Sequence, residues 1–220
     1  MRITFGICSI RGNEQLLHQI VDSIESQNIP IENYEILIIG GGINFVRPNV
    51  KVLEFQDTAG PGWITRKKNI LVSQAKFEHI VLSHDYYRYL DGWYKSWTDF
   101  GDDWDVAMNK IASMDGLRFR DWMLCHGTYS HKRFDGMVAH LDYGITNRTN
   151  EQYISGGWWM AKTQYMLEHS LDESLSWNDG EDILWSLQNR QLWNLKFNPY
   201  AMIQLIKEKY IYPSTSERLL

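Results

Sequence analysis

The sequence predicts an α/β fold in which a mostly parallel sheet is flanked by helices, all within one domain of residues 1–220. Two observations lead to this prediction. Apolar, strand-like runs alternate with helical patterns through the first half of the chain, as in proteins built from βαβ units. The length of 220 residues fits one ordinary domain, and neither an internal repeat nor a low-complexity linker suggests a boundary.

The first half of the chain supplies most of the predicted sheet. A β-rich segment at 2–9 is followed by a helix that Asn13 can cap. The apolar residues of this helix fall on one face: Leu16, Leu17, Ile20, Val21 and Ile24. Strands are also predicted at 34–39, 51–55 and 80–83, with a basic helix at about 65–75 before the last of them.

The second half is less regular. A strand is predicted at 105–111, whereas residues 114–153 show no clear period and are not assigned. A helix is predicted near 162–169. Another begins around Gly180 and is expected to bury Ile183, Leu184 and Leu187.

Composition excludes several classes of protein. No stretch approaches the roughly 20 apolar residues of a membrane span, and the N-terminus lacks the pattern of a secretory signal, so a cytoplasmic protein without a transmembrane segment is expected. The net charge of −5 argues against nucleic-acid binding, which needs a basic face. Cys8 and Cys125 have no partners at metal-ligand spacing, and no disulfide is expected. Ten tryptophans could stack on sugar rings or pack in the core.

Ligands of open α/β sheets bind at the carboxyl ends of the strands. After the first predicted strand come Ser9 and Arg11. Glycines that allow close approach of a ligand follow the second strand, including Gly41, and the third, including Gly62. These glycines could equally form plain turns.

The basic run on the predicted helix at 65–75 contains Arg66, Lys67, Lys68 and Asn69. Its charges could meet phosphates, or they could form a solvated face. After the fourth strand, His84 and Asp85 are a possible ligand pair for Mn2+ or Mg2+, with diphosphate oxygens and water completing the shell. A satisfied polar turn is the alternative.

The segment Trp177–Asp182 places Glu181 and Asp182 at the start of a predicted helix. Acidic residues are favoured there by the helix dipole, so a purely structural role is also possible. Composition alone leaves this segment undecided.

Taken together, these positions resemble the GT-A glycosyltransferases, particularly the large inverting family with bacterial polysaccharide and lipopolysaccharide transferases. The likeness covers roughly residues 1–85 and 153–190. Ser9 and Arg11 resemble the family's first nucleotide-binding loop, and Gly62 with Lys68 and Asn69 resembles its glycine and basic-Asn pair. His84-Asp85-Tyr86 stands where the Asp-x-Asp metal motif normally lies, although only Asp85 is acidic. The usual acidic residue after the second strand is replaced by glycine.

The second half resembles the acceptor-site block of galactosyltransferases and chondroitin-type polymerases, whose Trp-Gly-x-Glu-Asp segment supplies the catalytic base. The matching stretches are Ser155-Gly156-Gly157, Leu171-Asp172-Glu173, Trp177 to Asp182, and Arg190.

The resemblance implies that the two halves of the chain bind different substrates. Residues 1–112 would bind a nucleotide sugar, a UDP-hexose, and residues 113–220 would bind a glycan or lipid-linked sugar acceptor. Asp182, with Glu181 as second choice, would be the base of an inverting transfer. Arg66 or Lys68 and a metal at Asp85 would balance the diphosphate.

Further contacts and alternative functions also follow from the sequence. Gly157, Trp158 and Trp177 would contact the acceptor, with core packing as the alternative for the tryptophans. A non-catalytic nucleotide-sugar or glycan-binding module remains an alternative function. A nucleotidyltransferase is disfavoured because residues 9–13 contain one glycine only.

Overall fold

The computed structural model describes residues 1–56, 63–146, 150–176, 179–209 and 217–220. Its strands are β1 (Ile3–Cys8), β2 (Tyr34–Gly40), β3 (Val50–Glu54), β4 (His79–His84), β5 (Tyr87–Tyr89), β6 (Val106–Ala112), β7 (Met123–Ser130), β8 (Arg133–His140), β9 (Gln152–Tyr153), β10 (Trp158–Lys162) and β11 (Leu195–Leu205). Its α-helices are α1 (Glu14–Glu25), α2 (Ile64–Gln74), α3 (Trp93–Phe100), α4 (Thr163–Glu168) and α5 (Glu181–Asn189). A short 3-10 helix covers Ile31–Asn33.

Within the described residues, eight strands form the main sheet in the order β3-β2-β1-β4-β10-β6-β11-β5. The pairs from β3 to β4 are all parallel, which confirms the predicted α/β fold with flanking helices. Strands β1, β2 and β4 are almost wholly buried, as apolar runs covered by helices on both faces should be. Helix α1 buries Leu17, Ile20, Val21 and Ile24 at helical spacing.

Strand β10, which the sequence analysis did not find, enters the sheet between β4 and β6 and runs antiparallel to both. Trp158 at its start lies opposite Ser83 near the end of β4. The residues that precede β10, Ser155 to Gly157, are therefore brought to the carboxyl edge of β4. The backbone N–H of His84 donates to the Gly157 carbonyl at 3.0 Å and fixes this junction.

The two adjacent tryptophans of β10 are fully buried on opposite faces of the sheet, because side chains alternate along a strand. Trp158 packs in an aromatic cluster with Trp93 and Trp97 of α3, at centroid distances of 6.3 and 6.4 Å. Trp159 packs against Trp185 of α5. Trp158 was predicted to contact the acceptor, but it packs in the core instead. Its side chain is buried and is not available to an acceptor.

The unassigned region 114–153 contains a β-hairpin. Strands β7 and β8 pair in antiparallel register, and β9 adds to the other edge of β7. His131 and Lys132 at the turn have φ of 50° and 58°, as two-residue hairpin turns require. Met123 and Tyr153 of this small sheet pack against α5.

Helix α5 begins within one residue of the predicted start, but its buried face differs from the prediction. Trp185, Ser186 and Asn189 are buried, whereas Ile183, Leu184 and Leu187 are only half-buried. In the part of the chain that the structure describes, no helix combines the length and apolarity needed to cross a bilayer. Cys8 and Cys125 are buried thiols.

Candidate functional site

The carboxyl ends of β1 and β4 lie side by side and bring together residues 76 positions apart. The hydroxyl of Ser9 donates to Asp85 Oδ2 at 2.6 Å, and the side-chain amide of Asn13 donates to the same oxygen at 2.7 Å. Asn13 does precede α1, but its side chain makes no capping hydrogen bond. Its amide is used to orient the carboxylate of Asp85 instead.

A cavity of about 270 Å³ opens around Asp85, and we call it the lysine cavity. Three ammonium groups line it. Lys67 comes from α2, and Lys207 and Lys209 follow the end of β11. The backbone N–H of Ile206 donates to the Tyr86 carbonyl at 2.9 Å, which holds the chain after β11 beside the turn that follows β4.

A second cavity, of about 280 Å³, contains the predicted base, and we call it the carboxylate cavity. Glu181 and Asp182 at the start of α5 lie on one side of it, and Gly156 and Gly157 on another. The remaining wall is formed by residues of the hairpin sheet and its neighbours: Phe119, Arg120, Val138 and Tyr153. His84 and Tyr86 line both cavities, so the two adjoin.

The carboxylate of Asp182 is fixed by two backbone donors. Gly156 N–H donates to Oδ2 at 2.7 Å and Ile183 N–H donates to Oδ1 at 2.8 Å. The side chain is half-buried and faces the cavity. Such a carboxylate is held in one orientation and still has lone pairs available for a ligand.

Glu181 is 8% exposed. Burial, and then the negative charge of Asp182, raise the pKa of Glu181 to about 7, while the positive charge of Lys68 opposes the rise. Glu181 therefore changes its protonation state close to neutral pH.

Lys68 lies beneath the carboxylate pair and is fully buried. Its ammonium donates to the Gly156 carbonyl at 2.7 Å and sits 4.3 Å from the centre of the Trp159 ring. Burial lowers the pKa of Lys68, and the charges of Glu181 and Asp182 oppose that change. Lys68 therefore compensates the charge of the pair from inside the protein and lines neither cavity.

His84 stands between the cavities. Its Nε2 is shielded from solvent and has no hydrogen-bond partner among the described residues. Burial lowers the pKa of His84 well below its ordinary value, and the positive charges of Lys68, Lys209 and Lys67 add to this effect. The imidazole is therefore neutral near neutral pH.

Glycine at 157 is required by a close contact. A methyl group there would overlap the hydroxyl oxygen of Tyr87 and lie 3.2 Å from Tyr87 Cζ, and Tyr87 is itself buried. We therefore expect Gly157→Ala to lower the free energy of unfolding by about 1–3 kcal/mol in urea denaturation. Gly144→Ala is the matched control, because nothing lies within 4 Å of its added methyl. Equal stability of the two variants would contradict this account of the contact.

Several residues that were predicted to belong to the site do not line either cavity. Arg66 stacks on the ring of Trp63 at 4.6 Å, and Asn69 exchanges hydrogen bonds with the backbone of Leu171. Arg11 is exposed, and Gly41 closely approaches the carbonyl of Phe55. None of these four residues lines either cavity. Gly62 and Trp177 lie outside the described residues.

The donor set around Asp85 does not match a metal site held by the protein. Among the described residues, no three His, Cys, Asp or Glu side chains are grouped as metal ligands. One oxygen of Asp85 already accepts two hydrogen bonds, and lysines line the same cavity. Magnesium and manganese prefer several oxygen ligands, which ammonium groups cannot supply.

Sequence reasoning missed four cationic residues that line the cavities. Lys67 was noticed only as part of a basic run, and Lys207 and Lys209 were not considered. Arg120 in the carboxylate cavity was likewise not assigned. The basic spacing of the segment Lys207-Glu208-Lys209 was the available signal, but its nearness to Asp85 depends on the unpredicted strand β11.

No protein-family model and no curated protein matches this sequence. Solved structures do resemble the chain. GalNAc-T7 with UDP, GalNAc and Mn2+ matches with a TM-score of 0.67 and 15% identity over 99% of this chain and 46% of that one. S. aureus TarS 1–349 in complex with UDP-GlcNAc matches with a TM-score of 0.64 and 15% identity over 98% of this chain and 61% of that one.

The same TarS segment with UDP has a TM-score of 0.60 at 15% identity, over 96% of this chain and 59% of that one. This chain thus spans less than two thirds of the structures it resembles. These neighbours are GT-A-type glycosyltransferases, and the likeness establishes the predicted GT-A fold for this chain.

Proposed function

We propose that this chain is a glycosyltransferase that moves a hexose from a UDP-linked donor to a hydroxyl group of a glycan or lipid-linked sugar, with inversion at the anomeric carbon. One observation carries the proposal: a cavity lined by cationic side chains adjoins a cavity with a fixed carboxylate pair, and His84 and Tyr86 line both. The first cavity suits a diphosphate and the second suits proton transfer. The ligands named for TarS and GalNAc-T7 support UDP as the nucleotide.

On the donor side, the nucleotide would lie across the ends of β1 and β4. Ser9 and His84 are retained as contacts, because both line the lysine cavity. Arg66 and Asn69 are reassigned to holding the loop around 171–173, where their contacts lie. Lys68 is reassigned from donor contact to positioning residue, because its ammonium is buried against Gly156 and Trp159.

On the acceptor side, Asp182 would accept the proton of the attacking hydroxyl. It is the more exposed carboxylate of the pair, and Gly156 N–H fixes it on the wall of the cavity. The acceptor oxygen would bond to the anomeric carbon as the bond from that carbon to the diphosphate oxygen breaks. Attack from the side opposite the leaving group gives inversion. Glu181 remains the second choice, since its raised pKa also suits a base.

The proposed division into a donor half, 1–112, and an acceptor half, 113–220, needs one change. Lys207 and Lys209 come from the second half but line the donor-side cavity. Among the described residues no three His, Cys, Asp or Glu side chains are grouped as metal ligands, so Mn2+ or Mg2+ at Asp85 would take its other ligands from the diphosphate and water, and we assign no step to a metal.

The function is tested by a thermal-shift panel of nucleotide sugars, with and without Mn2+, followed by release of UDP from whichever sugar binds. A UDP-hexose should raise the melting temperature, as any ligand specific for the folded state does. Slow UDP release should follow, even without an acceptor. Tight binding with no turnover under any acceptor would instead identify the non-catalytic binding module. A panel in which no nucleotide sugar binds would reject both the transferase and a module that binds nucleotide sugars.

A further inference from the structure

The lysine cavity is lined mainly by cationic rather than anionic side chains. Three ammonium groups line it beside one carboxylate, that of Asp85. The diphosphate of a nucleotide sugar bears two negative charges, which such a group of cations can bind.

We propose that Lys67, Lys207 and Lys209 bind the diphosphate of the donor and balance its charge in place of a divalent cation. The inference rests on the proposed function for the identity of the anion. It assigns to these lysines a role that a metal on Asp85 would otherwise fill.

The positions of the lysines support a built site. Lys67 is 2% exposed, and its Nζ lies 3.5 Å from the Ser9 carbonyl and 5.2 Å from the centre of the Phe55 ring. Lys209 Nζ lies 4.2 Å from the centre of the Tyr86 ring. Burial, and then the charge of Lys207, lower the pKa of Lys209, so an anion between these groups would relieve their repulsion.

An independent observation comes from His84. Its shielded Nε2 has no hydrogen-bond partner in the described part of the chain, although this residue lines the lysine cavity. A buried polar atom without a partner is costly, and a ligand oxygen can satisfy it.

Asp85 has a defined part in this arrangement. Ser9 and Asn13 fix its carboxylate by two hydrogen bonds to one oxygen. Its negative charge favours the charged form of Lys209. In the transfer step, the bond from the anomeric carbon to the diphosphate oxygen breaks, and the lysines stabilise the negative charge left on UDP.

The test is calorimetric binding of UDP, UMP and inorganic diphosphate to the full chain, each with EDTA and with Mn2+. UDP should bind in EDTA with an affinity within about threefold of that in Mn2+. Lys207→Met and Lys209→Met should each weaken UDP binding about tenfold, and the double variant about a hundredfold. UMP, which lacks the second phosphate, should be affected less.

Two controls separate charge from folding. Lys95→Met removes an exposed lysine on α3 and should leave UDP binding unchanged. Lys209→Arg keeps the charge and should retain most of the affinity. If UDP binds only with Mn2+ and the lysine variants match Lys95→Met, the inference is overturned.

The remaining outcomes separate this inference from the proposed function. Lysine-dependent binding of inorganic diphosphate without binding of any nucleotide or nucleotide sugar would keep the inference and reject the proposed donor. Failure of both UDP and diphosphate to bind under all conditions would reject the inference outright.

Discussion

Asp182→Asn is expected to reduce the turnover number about 10²- to 10⁴-fold, the usual contribution of a general base. The amide has almost the shape of the carboxylate and can still accept the hydrogen bond from Gly156 N–H. It cannot take a proton from the acceptor hydroxyl. Turnover should be measured with the UDP-hexose identified by the binding panel, at saturating donor.

The folding cost of this variant should be small. Asn can replace only one of the two acceptor oxygens that Gly156 and Ile183 use, so about 1 kcal/mol of stability should be lost. Asp172→Asn is a matched control, because Asp172 is exposed and also accepts from a backbone N–H, that of Ser174. Full turnover by Asp182→Asn, together with a large loss in Glu181→Gln, would move the base to Glu181.

Glu181→Gln is expected to stabilise the protein at alkaline pH and to have little effect in acid. The pKa of Glu181 is raised from 4.5 to about 7 in the folded state. Between these values the folded chain binds more protons than the unfolded chain, so wild-type stability falls as pH rises through this window. Above pH 7 the variant, which resembles the protonated acid, should be more stable by on the order of 3 kcal/mol.

The measurement is urea denaturation of both proteins across about pH 4 to 8. Glu168→Gln provides the control, because this exposed carboxylate only accepts a hydrogen bond from Gln164 on the same helix. Its stability difference from wild type should not change with pH. If the Glu181→Gln variant is no more stable than wild type at pH 8, ionised Glu181 does not destabilise the folded protein, and its pKa is not raised as stated.

The sequence predicted the parallel half of the sheet well because its signals are local. Strands β1, β2 and β4 are uninterrupted apolar runs, and α1 has a clear apolar face. Strand β10 gave no such signal, since Trp158-Trp159-Met160-Ala161-Lys162 is short and lacks polar alternation. Its place between β4 and β6 depends on long-range pairing, which a local pattern does not contain.

The sequence likewise predicted only the part of the candidate site that follows local signals. Ser9, His84 and Asp85 follow predicted strands, so the rule of strand ends brought them together. The resemblance grouped Glu181 and Asp182 with Gly156 in one block of sequence, whereas the contact between Gly156 N–H and Asp182 was found only in the structure. Lys207 and Lys209 could not be placed, because β11 pairs with β6 about 90 residues earlier in the chain. Asn13 has the residue type of a helix cap, yet its side chain bonds Asp85.

The two indoles of β10 determine more than the packing of the core. Trp158 and Trp159 are consecutive, so a shift of this strand by one residue would exchange the faces on which they lie. Each ring would then meet a surface shaped for the other, and Gly157 would no longer stand opposite His84. The alignment of the two halves of the site thus depends on two side chains that are fully buried in the core. The positions of the site residues at the sheet edge therefore depend on how these two tryptophans pack in the core.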